Sequence, residues 1–204
     1  MKLQAHGIET DLAPGWEGRI ALRKAPPTPV APRGAPAPQG GPEATPFDAP
    51  GRVIPEGQPG SESQIDPGAQ VDVEVGEIGA AGEMIFPVAH LGNFALPENR
   101  GDFGSGAVDL MRDENALVVL AEFGPECAGT ALFSHKGVPT QLTPNMFSGS
   151  ALQRTIPNQA GCQVFFTVEN RAFCLYTVLG RQSAANRVLP QVNATLASTR
   201  ISPR

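Results

Sequence analysis

Tyrosine and tryptophan occur once each in these 204 residues, cysteine three times, and lysine three times against twelve arginines. Each scarcity narrows the reading. Cys127, Cys162 and Cys174 are odd in number and include no CxxC pair, which suits a reducing compartment and free, partly buried thiols. Neither half of the chain carries a clustered Lys/Arg face, so nucleic acid is disfavoured as a partner. The longest apolar run, "ALVVLAEF" at 116–123, is far too short to span a bilayer, and no membrane insertion is expected. "MKLQAHGIETDL" has Gln, His, Glu and Asp where a secretion signal needs an unbroken apolar stretch, which points to a cytoplasmic protein. Arginine in place of lysine, with abundant Ala, Gly and Pro, fits GC-rich codon usage and hence a bacterial source.

What is abundant is proline. Twelve of the 21 prolines fall between Pro26 and Pro67, where Phe47 is the only aromatic residue. Such a stretch buries too little apolar surface to offset its ordering entropy. Acids follow: nine lie between Glu43 and Glu83, with Arg52 as the only base among them. Outside that stretch, 11 acids face 14 bases, close to balance. Residues 25–68 are therefore expected to be a disordered linker, Pro-rich and then acidic. About 160 residues remain, enough for one self-sufficient domain.

Period-two alternation marks the strands. Ile8, Thr10 and Leu12 share one side while Glu9 and Asp11 take the other. After Pro14-Gly15, Trp16, Gly18, Ile20 and Leu22 alternate with Glu17, Arg19 and Arg23, which predicts a β-hairpin within residues 1–24. A lone hairpin is marginal in water, so it must join the apolar material beyond residue 84. "AQVDVEVGEIG" at 69–79 alternates briefly and reads as an edge strand or extended chain. Pro87 delays the next strand to Val88. "SGAVDLMRDEN" predicts a short helix capped by Ser105, and "ALVVLAEFG" a strand covered on both faces. Thr143-Pro144 opens a turn or two of helix. "CQVFFTVENRAFCLYTVLG" at 162–180 is a hairpin, Gln163–Val168 and Ala172–Leu179 around a Glu169-Asn170-Arg171 turn. A helix starting at Pro190 buries Val192, Leu196 and Thr199, and Arg200-Ile201 adds a short strand.

The expected fold class is α+β: an antiparallel sheet flanked by a few short helices, sandwich-like, with a long disordered insertion after the first hairpin. Residues 69–204 complete the single domain. A long excursion is tolerable because each doubling of loop length costs only about 0.6 kcal/mol. The opening strand into "LAPGWEG" (Leu12 to Gly18) and the closing helix into "ASTRI" (Ala197 to Ile201) resemble the PsbP-like fold. The resemblance covers about 30 residues. It implies an antiparallel sheet between helices, in a fold whose members mostly act as binding or assembly modules without a shared catalytic site. It carries over no functional residues.

No catalytic, cofactor-binding or metal-ligating residue is assigned. Cys162 and Cys174 sit in strand patterns as small buried hydrophobes, and Cys127, in "GPECAG", is the more exposed thiol. His6, His90 and His135 lie far apart, with no metal-ligand spacing. Arg100-Gly101-Asp102 reads as a polar turn, and the "NAT" sequon at 193–195 falls in a helix. "GDFGSGAV" lacks the full dinucleotide or Walker pattern. These features favour a non-enzymatic protein-interaction or assembly module with another protein as partner and no cofactor. One alternative is a small-ligand-binding protein or enzyme whose site is built from loops 97–106 and 124–140. Another is a structural subunit of a phage-like or secretion-like particle.

Overall fold

The computed structural model describes residues 1–23 and 85–204. The predicted linker at 25–68 and the candidate strand at 69–79 lie outside the described residues. The chain is mixed α+β, mostly antiparallel, with few short helices. Nine strands fall into two sheets among the described residues. The smaller has the order β1 (Lys2–Ala5), β2 (Ile8–Asp11), β9 (Arg200–Ile201). The larger runs β3 (Glu17–Arg23), β4 (Phe86–Gly92), β5 (Ala116–Phe123), β8 (Arg171–Leu179), β7 (Ala160–Val168), β6 (His135–Lys136). Every pairing is antiparallel except that of β6 with β7.

The strands expected at 8–12 and 16–23 both form, but not as a hairpin with each other. β2 pairs instead with β1 through a His6-Gly7 turn, and β3 pairs with β4. Turn chemistry explains the correction. Both His6 and Gly7 have positive φ (50° and 74°), the backbone of a two-residue hairpin turn whose twist matches its strands. Pro14 is held at negative φ, Gly15 sits at +79°, and the Trp16 N–H donates to the Ala13 carbonyl at 3.1 Å. That is a type II turn, which splays the flanking strands. It hands the chain from one sheet to the other.

β3 joins the same sheet as the strands after residue 84, as its need for a partner required. Its apolar side holds only as far as Ile20: Leu22 is 50% exposed, while Arg23 is buried on the opposite face. β4 includes Pro87, in register with Leu22, but its ladder with β5 starts only at Val88↔Ala121. Proline offers no N–H, so the residue opposite it on β5, Glu122, gains no amide donor there. The Arg23 guanidinium donates to the Glu122 carbonyl instead.

β5 is buried along its whole length and lies between β4 and β8, as a continuous apolar run predicts. β7 and β8 pair over nine residues from Ala160↔Leu179 to Val168↔Arg171. Their turn is the two-residue Glu169-Asn170, both at positive φ. Arg171, expected in the turn, is the first residue of β8. α1 spans Ser105–Val108 and is capped by Gly104 in the left-handed region, so Ser105 is its first helical residue and not its cap.

α2 spans Ala185–Ser198 and starts five residues before Pro190. Pro190 therefore sits inside the helix, where its missing N–H leaves the Asn186 carbonyl without a partner. Both residues are exposed, which leaves that carbonyl open to water. The buried stripe holds Val192 and Leu196 as expected, with Val188, Leu189 and Thr195; Thr199, expected on it, is buried just past the helix as its C-cap.

One face of the large sheet packs under α2 and the small sheet, with Leu91, Leu120, Phe166, Phe173 and Leu175 meeting Ile8, Trp16, Val192 and Leu196. Trp16 Nε1 donates to Gln191 Oε1 at 3.3 Å, and the Thr10 hydroxyl to the Thr195 carbonyl at 3.2 Å. The other face packs under α1 and irregular segments, through Val119, Phe123, Cys174, Tyr176 and Val178. No helix among the described residues is long and apolar enough to cross a membrane.

Candidate functional site

The second face of the large sheet is covered by loops, and there the chemistry-bearing groups collect. Odd-numbered and even-numbered residues of β8 take opposite faces, so Cys174, Tyr176 and Val178 point away from α2. Over them lie α1 and residues 149–159. Gln159 Nε2 donates to the Val108 carbonyl at 2.8 Å and ties these two coverings together. Arg154 pairs with Asp109, just past α1, with both side chains more than half exposed.

Between the two coverings is a pocket of about 210 Å³. Phe103, Val108, Leu152 and Ile156 supply apolar walls; Ser105, Gln153, Arg154 and Tyr176 add polar groups. Phe103 meets Tyr176 edge to face, with centroids 6.0 Å apart and planes at 80°. Burial pushes the Tyr176 phenol above its ordinary range.

Of the two loops expected to build a ligand site, residues 97–106 contribute and residues 124–140 supply none of the lining. Thr167 pins the latter elsewhere: its hydroxyl donates to the Phe133 carbonyl at 2.8 Å and accepts from the Gly129 N–H at 2.9 Å. Sequence reasoning missed Leu152, Arg154 and Ile156 because "SGSALQRTIP" has no period. Tyr176 was visible only as one position of a strand.

A second cluster lies where β3 and β4 meet the 97–102 turn. Arg23 and His90 project from the same face of adjacent strands. Arg23 is held over the Phe123 ring, 5.5 Å from its centroid, and its Nη1 lies 3.6 Å from Asp102 Oδ2. Arg100 folds back on its own turn, donating to the Pro97 and Glu98 carbonyls at 2.9 and 3.2 Å. The Arg100-Gly101-Asp102 triplet is thus engaged with its own domain. His90 is 2% exposed, and neither ring nitrogen has a hydrogen-bond partner among the described residues. Burial, helped by the Arg100 cation, pushes its pKa down to about 4.

The other singled-out residues separate. Among the described residues, no group of three or more His, Cys, Asp or Glu could hold a metal ion. His6 lies in the β1–β2 turn and His135 is exposed on β6. Cys162 and Cys174 face opposite sides of the sheet, and burial pushes their thiols up to about 11 and about 12. Cys127 is partly exposed, and it too is raised, by burial and then by the Glu126 carboxylate. None is an activated thiolate. At pH 7.5, a maleimide should label Cys127 first. Cys162 and Cys174 should lag by at least about a hundredfold, labelling only through opening of the fold. Mass spectrometry of the labelled peptides checks this, and equal rates would contradict the burial described.

Asn193, the sequon residue, clips backbone: its Oδ1 accepts from the Leu142 N–H at 2.9 Å and its Nδ2 donates to the Leu142 carbonyl at 3.1 Å. The glycine-rich "GDFGSGAV" serves close packing. Gly104 has φ +80°, and a Cβ there would stand 2.2 Å from Leu117. The four-residue helix behind it is too short to gather phosphate.

One further arrangement was invisible in the sequence. Arg171 Nε and Nη2 donate to the two Glu122 carboxylate oxygens at 3.0 and 2.6 Å, both side chains being at most 4% exposed. The same guanidinium donates to the Ser202 carbonyl at 2.8 Å and the His6 carbonyl at 3.1 Å, and lies over the Phe173 ring. It thereby joins the large sheet to one end of the small one, where the His6-Gly7 turn lies beside Ser202.

Comparison with known proteins adds no neighbour: no family model, curated protein or solved structure matches the chain.

Proposed function

We propose that this chain is a non-enzymatic protein-interaction module that captures an extended segment of a partner protein along β3. The observation that carries this reading is the β3 edge of the large sheet, which no described strand covers. β3 is its terminal strand among the described residues, seven residues long, with Arg19, Ala21 and Leu22 exposed. An edge strand presents unpaired backbone N–H and C=O groups as a template for another strand, and Leu22 adds apolar surface beside it. The resemblance to the PsbP-like fold supports the same reading, since its members serve mostly in binding and assembly.

The test is affinity capture with the native chain and with an Ala21→Lys/Leu22→Lys variant, followed by amide exchange on the complex. The captured partner should slow exchange of outward-facing amides within 17–23. The charged variant should bind at least about tenfold more weakly. Protection confined to other surfaces would reject the reading.

A second reading, a small-ligand-binding protein with a loop-built site, is favoured by the pocket between α1 and residues 152–156. Largely apolar walls with a few polar groups are the ordinary make-up of ligand sites.

A further inference from the structure

The pocket's dimensions and lining restrict what it takes. An engineered apolar cavity of about 150 Å³ accommodates benzene, so about 210 Å³ accommodates one ring with a substituent. Phe103, Val108, Leu152 and Ile156 offer that ring apolar contact. Arg154 is the only charged group that the described residues bring to the lining. Its present partner, Asp109, does not line the pocket, and the pair is exposed, with 55% and 54% of the two side chains accessible. An ion pair so exposed is weakly held, so exchanging one carboxylate for another costs little. A carboxylate held by the planar guanidinium also gains two parallel charge-assisted hydrogen bonds. Ser105 and Gln153 line the same pocket and offer neutral donors.

We propose that this pocket binds a small carboxylate with a single-ring apolar body, the ring against Phe103, Val108, Leu152 and Ile156 and the carboxylate on Arg154. The proposal rests on the small-ligand reading above and names its ligand class.

Benzoate and benzyl alcohol, matched in ring and different in charge, are the probes. Each is titrated into the ¹⁵N-labelled full chain and followed by amide shifts. Benzoate should saturate with a Kd of about 1 mM or tighter, shifting amides within 103–108, 152–156 and around Tyr176. Benzyl alcohol should bind more weakly at the same place. Arg154→Gln, a change at an exposed position that leaves the fold intact, should weaken benzoate at least about tenfold and leave benzyl alcohol unchanged. Leu152→Trp, which fills the pocket, should abolish binding of both while amides far from it keep their shifts.

Benzyl alcohol binding as tightly as benzoate, or benzoate indifferent to Arg154→Gln, overturns the carboxylate assignment and leaves the small-ligand reading standing. No saturable shift with either probe overturns both.

Discussion

Replacing Arg171 by alanine is expected to destabilise the fold by about 3–5 kcal/mol, the usual cost of breaking a buried ion pair from one side. Three losses add up. Glu122, 2% exposed, is left with a buried charge. Among the described residues, the other cation paired with its carboxylate is Arg204, whose Nε lies 3.3 Å from Oε1 on a half-exposed side chain, too wet to compensate. The carbonyls of His6 and Ser202 lose their common donor. Urea denaturation of the two chains measures the difference, with the slope expected to stay constant. The double variant Arg171→Met/Glu122→Leu should recover most of the loss, because it removes the stranded charge together with its partner. A loss below about 1 kcal/mol for the single variant would mean that the pair contributes nothing across the two sheets. Amide exchange adds a local readout: the Ser202 amide, which donates to the Gly7 carbonyl, should become labile before the strands of the large sheet do.

The second large effect is a pH dependence set by His90. An unfolded histidine titrates near 6.5 and this one near 4, so between those values the unfolded chain binds the extra proton. Stability should therefore be full above pH 6.5 and fall as the pH drops toward 4. The loss attributable to this one ring is about 3 kcal/mol. The groups around it act in opposite senses: burial and the Arg100 cation hold the ring neutral, while the nearby Gly101 backbone and Asp102 favour the proton. His90→Phe should flatten the curve between pH 4 and 6.5 without abolishing folding, since β4 keeps its partners on both sides. Stability curves by urea denaturation at several pH values test it. A slope unchanged by the substitution would place the titrating group elsewhere.

Much of the fold was legible because it rests on local patterns. The alternation from Ile8, the hairpin run Gln163–Val168 and the unbroken apolar run of Ala116–Phe123 each became a strand. Positive φ at Glu169 and Asn170 closed the predicted hairpin where polar residues marked it. Pairing was less legible. Pro14-Gly15 looks like a hairpin turn, yet its type II backbone separates the strands it joins, and the working turn was His6-Gly7. Pro190 looked like a helix start, but the stripe through Val188 and Leu189 carried the helix past it, at an exposed position where a missing hydrogen bond costs least.

The candidate site was the least legible part. Leu152, Arg154 and Ile156 sit in a segment without period, and nothing in their spacing links them to Phe103 or Tyr176. Arg171 meets Glu122 across 49 positions of sequence, and reads in isolation as one polar residue of a turn.

By itself, the sequence determined where the apolar strands and the main helix run and the class of the fold, because the spacing of apolar side chains is a property of a single strand or helix. Only the tertiary structure decided which strands pair, where Arg171 and His90 lose contact with water, and which loops enclose the pocket. Those outcomes depend on contacts between residues far apart in the chain, and no local pattern encodes a distance.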